Sequence, residues 1–99
     1  MRDIIIYCAG VRSEHEFWDL YIQNIAPESA QYFGKNLDAL WDALSAGGPG
    51  FPGEGISSVK LISTASLKSL RSGTFYSGLQ SISQELAAEE VSKIKFTVE

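Results

Sequence analysis

Two carboxylates lie four residues apart in the stretch YFGKNLDALWDAL, residues 32–44. On a helix, Asp38 and Asp42 face each other one turn apart, and such a like-charge pair costs an isolated helix about 0.2–0.5 kcal/mol. Two carboxylates can perform acid–base or glycosidic chemistry, but only where different environments separate their pKa values and a cleft holds the substrate. One flank of one helix is a convex surface. The spacing therefore favours a binding surface over a catalytic centre.

A helical wheel divides this segment into an apolar stripe and an acidic flank. The two aspartates share the flank, about 40° apart. Asp38 lies in the first turn, where the helix dipole favours a carboxylate by about 0.3–1 kcal/mol. That effect fades within a turn, so it explains Asp38 but not Asp42. The stripe falls within about 60° of its first residue and consists of Leu37, Leu40, Trp41 and Leu44.

The spacing alone leaves two interpretations of the acidic flank open. It is either an ordinary solvated helix face, as charged flanks usually are, or a surface that binds a basic partner. Tyr32 and Phe33 directly precede the helix. They favour the second interpretation, because aromatic side chains beside charges are common at the centres of interfaces.

Composition narrows the classes of partner. The 99 residues suit one domain spanning residues 1–99, and 12 acidic against 8 basic residues give a net charge of −4. This charge argues against nucleic acid or an anionic membrane as the partner and for a basic one. MRDIIIYCAG has too short an apolar core for a signal peptide, and no apolar run has membrane-spanning length. We therefore expect a cytoplasmic protein.

Other residues that could do chemistry have ordinary explanations. His15 has no second histidine or cysteine at ligand spacing, so we expect no metal site. The glycine-rich stretch SAGGPGFPGEG lacks the GxxxxGK[ST] pattern that holds phosphate. Cys8, the lone cysteine, lies in an apolar run and is expected to be a buried thiol in a reducing compartment. No cofactor is expected.

The rest of the chain predicts the elements that must position the acidic helix. The β-branched run DIIIYCA predicts a strand covered on both faces. Ser13 and Glu16 form a capping box, so a helix should begin at Glu14 and close at Pro27. Asn36 is the expected N-cap of the acidic helix, and SAGGPGFPGEG ends regular structure after it.

The second half of the chain repeats this alternation of strands and helices. SSVKLIST predicts a second strand, SLKSLRSG a short helix that Gly73 stops, and KIKFTV a third strand. A longer helix after Thr74 is expected to place Gly78 at a close helix–sheet contact. Strands separated by helical pairs associate in parallel through right-handed crossovers. We predict an α/β fold with a three-stranded parallel sheet packed by helices, in the order β-α-α-β-α-α-β. The last helix has helical spacing at Phe75, Leu79, Ile82 and Leu86.

The stretch YFGKNLDALWDAL, residues 32–44, is similar to the signature segment of the barstar family, whose members are intracellular inhibitors of secreted barnase-like ribonucleases. The family pattern has two aromatics, Gly, a variable residue and then Asn-Leu-Asp-Ala-Leu-Trp-Asp, and all of these stand here. The predicted order of strands and helices also resembles the family's over the whole chain. The resemblance implies a barstar-like fold and an acidic helix that plugs a ribonuclease active site, where its carboxylates meet the arginines and histidine that hold RNA phosphate.

The resemblance also implies roles for single residues of this helix. Asp42 resembles the carboxylate that fills the phosphate site, and Asp38 resembles its neighbour one turn earlier. Tyr32 resembles the tyrosine that packs on the catalytic histidine of the enzyme. Trp41 matches the family tryptophan, and Phe33 beside Tyr32 completes the expected partner-binding set on this segment.

A further acidic contact is implied on the last helix, and two features depart from the family. Glu85 aligns best with the family acid, although Gln84 is one register away. Lys35 stands at the variable position, where barstar has an acid. The stretch SAGGPGFPGEG is longer and richer in glycine, and nothing in it aligns with the family's interface tryptophan.

Together these observations predict a binding protein rather than an enzyme. We expect it to be a monomer when free and to block a basic, guanyl-specific secreted ribonuclease in a 1:1 complex. The alternative is an immunity or regulatory protein of the same fold that binds a different basic toxin or partner.

Overall fold

The computed structural model describes residues 2–25, 33–53, 55–88 and 94–99. Its three strands form one parallel sheet in the order β1-β2-β3. The predicted barstar-like α/β fold is confirmed. The first helix of the second pair takes the tighter 3₁₀ form, and its backbone leaves the helical region at residues 70–72, before the predicted stop at Gly73. The elements in chain order are β1 (Arg2–Tyr7), α1 (Glu14–Ile25), α2 (Leu37–Ala46), β2 (Ile56–Ile62), the 3₁₀ helix (Thr64–Gly73), α3 (Thr74–Ala88) and β3 (Lys95–Val98).

Helix α1 begins where the capping residues predict. The backbone N–H of Glu16 donates to Oγ of Ser13 over 3.1 Å, and the Glu16 carboxylate accepts from the N–H of Arg12 over 3.0 Å. Side chains thereby satisfy one donor of the first turn and one donor just before the helix. The predicted start at Glu14 is confirmed, whereas the predicted closure at Pro27 lies outside the described residues.

Strand β1 is buried on one face only, so the prediction of a strand covered on both faces is wrong. Ile4, Ile6 and Cys8 are buried, whereas Ile5 is 46% and Tyr7 is 65% exposed. Successive side chains of a strand point to opposite faces of the sheet. The strand order β1-β2-β3 gives the reason. Crossovers between parallel strands are right-handed as a rule, and here both step in the same direction across the sheet, so their helices cover the same face and leave the other face open.

An aromatic cluster joins α1 to α3 and to the segment before α2. Trp18 is buried in this core, with its ring centroid 5.6 Å from that of Phe33 and 5.8 Å from that of Phe75. Tyr21 stacks on Phe33 with ring centroids 5.4 Å apart. Edge-to-face and stacked rings stabilise by about 0.5–1.5 kcal/mol per pair beyond their burial. The cluster therefore holds the start of the acidic helix against the body of the protein.

Gly78 contacts a helix and not the sheet, so the expected helix–sheet contact at this residue is wrong. A Cβ on Gly78 would lie 2.5 Å from Cδ1 of Leu37, the first residue of α2. The missing side chain lets α3 and the first turn of α2 approach closely. This contact sets where α2 lies on the helical layer.

The predicted buried thiol is confirmed. Cys8 is fully buried, its Sγ lies 3.7 Å from the carbonyl oxygen of Ile6, and burial raises the pKa of the thiol to about 11. Within the described ranges, no group of histidine, cysteine, aspartate and glutamate is arranged to hold a metal ion. The described helices are also too short or too polar for any of them to cross a membrane.

Candidate protein–protein interface

The N-terminus of α2 is held by its own sequence. The side chain of Asn36 accepts a hydrogen bond from the N–H of Ala39 over 2.8 Å and donates one to the carbonyl of Gly34 over 3.2 Å. Asn36 has an extended backbone, as an N-cap residue should, so its predicted role is confirmed. Lys35 before it has a φ of 52°, in the left-handed region. The chain therefore enters α2 through a tight, side-chain-bonded turn.

Asp38 and Asp42 are both exposed on α2, and half-buried Trp41 lies beside them. In the part of the chain that the structure describes, neither aspartate forms an ion pair. Lys35, the nearest cation in sequence, has its Nζ 3.9 Å from Oδ1 of Asp19 instead. We call Asp38, Trp41 and Asp42 the acidic face. The side of α2 turned to the core buries Leu40, Ala43 and Leu44.

The C-terminal end of α2 turns back beside Asp42. Gly47 has a φ of 76° and its N–H donates to the carbonyl of Ala43 over 3.2 Å. The N–H of Gly48 donates to the carbonyl of Asp42 over 3.2 Å. Two carbonyls of the last turn are satisfied in this way, with glycine at the left-handed position that ends many helices. The loop 47–53 thus begins directly next to the acidic face.

Two buried aromatic residues anchor this loop. The hydroxyl of Tyr21 donates to the carbonyl of Gly50 over 3.0 Å, and burial raises the pKa of that hydroxyl. A Cβ on Gly50, whose φ is 97°, would lie 2.5 Å from Cδ1 of Phe33. Phe33, predicted to bind a partner, is only 6% exposed. Its ring therefore supports the loop from beneath and offers little surface to a partner.

The remaining predicted residues lie on α3 or outside the described ranges. Glu85 and Gln84 are both exposed on α3. Glu85 follows Gly78 by seven residues, which places it about 20° from Gly78 around the helix, on the flank turned toward α2, whereas Gln84 lies about 120° away. Tyr32 lies outside the described residues.

The arrangement is suited to binding and not to covalent chemistry. Two exposed carboxylates of one helix present fixed negative charge beside an aromatic ring, which fits a basic protein surface. Sequence reasoning missed Tyr21 and Gly50, which fix the loop beside Asp42. Tyr21 belongs to the apolar stripe of α1 and Gly50 is one of several loop glycines, so neither carried a distinct signal.

The comparison with protein families agrees with this geometry. No curated protein matches the chain. A family model described as Barstar (barnase inhibitor) matches residues 1–99, the whole chain. With the parallel sheet, the capped acidic helix and this match over its full length, the chain belongs to the barstar family of barnase inhibitors.

Proposed function

We propose that this protein inhibits a basic, guanyl-specific secreted ribonuclease by covering the active site of the enzyme with the acidic face. The observation that carries the proposal is the exposure of Asp38 and Asp42 without an ion pair in the described regions. A ribonuclease must hold RNA phosphate with cationic side chains. Its active site therefore offers positive charge that can pair with these two carboxylates. The complex contains one copy of each protein.

Each predicted residue has a distinct part in this complex. Asp42 occupies the phosphate site, and Asp38 binds the neighbouring cations. Trp41 packs at the centre, since half-buried aromatics beside charges form interface anchors. Tyr32 lies against the catalytic histidine of the enzyme, and Glu85 adds a carboxylate from α3.

Phe33 contributes indirectly. Because its ring is buried against Tyr21 and the loop 47–53, it fixes the backbone on both sides of α2. Preorganised surfaces bind more tightly, since less ordering is needed on association.

The same proposal places the protein in the cytoplasm, where an inhibitor shields the RNA of the producing cell. It requires no cofactor, and the protein has no catalytic role of its own. Neither nucleic acid nor a membrane is a partner, in keeping with the net charge of −4.

An inhibition assay tests the proposal. Increasing amounts of the protein are added to a basic guanyl-specific ribonuclease that cleaves a fluorogenic RNA. We expect the apparent KM to rise while kcat stays constant, because RNA and inhibitor compete for one site. The double variant Asp38→Asn/Asp42→Asn should lose inhibition. The matched double variant Glu16→Gln/Glu99→Gln, which also removes two charges, should retain it. Equal inhibition by the two variants would reject the acidic face as the binding surface.

A second candidate function is protection against a different basic toxin. Lys35 supports it, because a cation stands at the rim of the acidic face where barstar has an acid. An inhibition panel that includes basic toxins other than ribonucleases distinguishes the two functions. Protection against such a toxin, without inhibition of any ribonuclease, would favour this second candidate.

A further inference from the structure

A cleft opens beside the acidic face, between the start of α1 and the start of α2. Its volume is about 250 Å³, and its lining includes Glu14, Trp18, Leu37, Asp38, Arg71 and Phe75. A cleft of this size has room for one extended side chain but not for a folded segment. We call it the α1–α2 cleft.

The charges in this cleft are unbalanced. Nε of Arg71 contacts Oε1 of Glu14. That oxygen is buried, and it accepts no hydrogen bond of regular geometry within the described residues. Asp38, which lines the same cleft from α2, has no ion pair in the same ranges. The lining thus holds two carboxylates and one guanidinium, which gives the cleft a net charge of −1.

The backbone of Arg71 has a conformation that a residue with a side chain rarely adopts. Arg71 and Ser72 have φ values of 49° and 55°, and Gly73 follows with 92°. The left-handed region is unfavourable for residues that carry a Cβ. The side chain of Arg71 is 64% exposed, so it can leave Glu14 without unpacking the core.

We propose that Arg71 stands in for a basic side chain of the partner. In the complex, an arginine of the partner displaces Arg71 from Glu14 and lies in the α1–α2 cleft between Glu14 and Asp38. This inference rests on the proposed function, because it extends the acidic face by one subsite for the same basic ribonuclease.

The chemistry of the cleft selects an arginine over other occupants. A planar guanidinium can bond to two carboxylates at once and lie flat on apolar walls. Its methylene stem would pack along Leu37 and Phe75, as the stems of long cationic side chains do. An acidic side chain would be repelled by two carboxylates. An apolar one would leave the buried oxygen of Glu14 without a donor.

The first test uses the free protein and needs no ribonuclease. Arginine methyl ester is titrated in while the ring resonances of Trp18 and Phe75 are followed by NMR, with citrulline methyl ester, which differs in having an uncharged side chain, as the control probe. We expect Arg71→Gln to bind the arginine ester about three- to fivefold more tightly, since it removes a competing exposed ion pair. Arg12→Gln, an exposed arginine outside the cleft, should bind as the wild type does. Equal binding by the two variants overturns the proposal.

The second test measures inhibition of the ribonuclease. Glu14→Gln should weaken inhibition about tenfold, because a partner cation loses a desolvated carboxylate. Glu16→Gln removes the same charge from the same turn and retains a capping acceptor, so it should have a much smaller effect. Arg71→Gln should tighten inhibition more than Arg12→Gln, although both lower the net charge equally. Equal effects within each matched pair overturn the proposal.

The two tests separate this inference from the proposed function. If the wild type inhibits no basic ribonuclease, the proposed function fails, and the ester titration still decides whether the cleft selects a guanidinium. If inhibition is strong but neither matched pair differs, the acidic face stands and the subsite is rejected.

Discussion

Asp42 lies on the second turn of α2, beyond the part of the helix where the dipole favours a carboxylate. Its repulsion from Asp38 is relieved by no ion pair in the described part of the chain. A partner cation would supply that relief. The free protein therefore carries a small electrostatic cost that binding of the proposed partner would remove, a common exchange of stability for function at binding sites.

Asp42→Asn should separate the two roles of this residue. The free energy of unfolding should stay constant or rise by a few tenths of a kcal/mol, about the cost of a like-charge pair. The binding free energy should weaken by about 2–5 kcal/mol, because the variant leaves a cation of the partner buried in the interface without a counter-charge. Urea unfolding and inhibition assays on the same preparations measure both effects.

The companion variant Asp38→Asn serves as a comparison, since it also gives up a favourable dipole interaction and should be the less stable of the two. A loss above about 1.5 kcal/mol in free Asp42→Asn would show that Asp42 is structural, because surface substitutions usually change stability by less than about 0.5 kcal/mol.

The buried thiol of Cys8 predicts how the free energy of unfolding changes at alkaline pH. Burial raises the pKa of its thiol from 9.0 to about 11, so folding favours the protonated form. This contribution is fully present below pH 9 and is lost as the pH rises toward 11. By linkage, the wild type should lose about 1 kcal/mol of stability from this group between pH 8 and pH 10. Urea unfolding of the wild type and Cys8→Ala at both pH values tests this, and an equally steep loss in the variant would contradict it.

At the scale of elements, α2 is fixed at both ends. Asn36 caps its start, Gly47 ends it, and the loop that follows is tied to α1 by Tyr21. The close contact of Gly78 with Leu37 holds its first turn against α3. These constraints hold the acidic carboxylates in one orientation before a partner arrives.

Gly50 tests the support of this loop. Gly50→Ala should lose about 1–3 kcal/mol more stability than Gly53→Ala, because its Cβ would overlap Phe33. Gly53 is the matched control, since its φ of 112° is also left-handed but nothing lies within 4 Å of its Cβ position. Inhibition should weaken in Gly50→Ala as the loop moves beside Asp42. Equal unfolding free energies of the two variants would show that the contact with Phe33 does not hold the loop.

At the scale of the whole molecule, the two sides of the sheet differ in how their charges are balanced. On the open side, Lys60 and Lys95 stand with Asp3 and Glu99, and Nζ of Lys60 lies 3.9 Å from Oε1 of Glu99. The acidic face in the helical layer has no ion pair in the described ranges, so with a net charge of −4 it should orient the protein as it approaches a basic enzyme.

The association rate with the ribonuclease should therefore fall steeply with ionic strength. Raising salt from about 50 to 500 mM shortens the screening length severalfold and removes most of the steering, whereas the dissociation rate should change less. Stopped-flow association measured across this range tests the expectation. A rate indifferent to salt would count against electrostatic docking of the acidic face.

Signals within one helical turn were sufficient for the local structure. Ser13 with Glu16 predicted the start of α1, and Asn36 predicted the start of α2, because capping hydrogen bonds join residues two or three apart in sequence. The alternation of strands and helices predicted the parallel sheet. The spacing of Asp38 and Asp42 indicated their shared exposed flank, since a helix turns by a fixed angle per residue.

Contacts between distant residues were decided only by the tertiary structure. The open face of β1 follows from the direction in which the crossovers step across the sheet, and no pattern within the strand carries that information. The contact between Gly78 and Leu37 and the ion pair of Arg71 with Glu14 likewise join residues more than 40 positions apart. Such long-range contacts depend on how whole elements pack. The sequence alone therefore identified Asp38 and Asp42, whereas the fold determined which residues lie beside them.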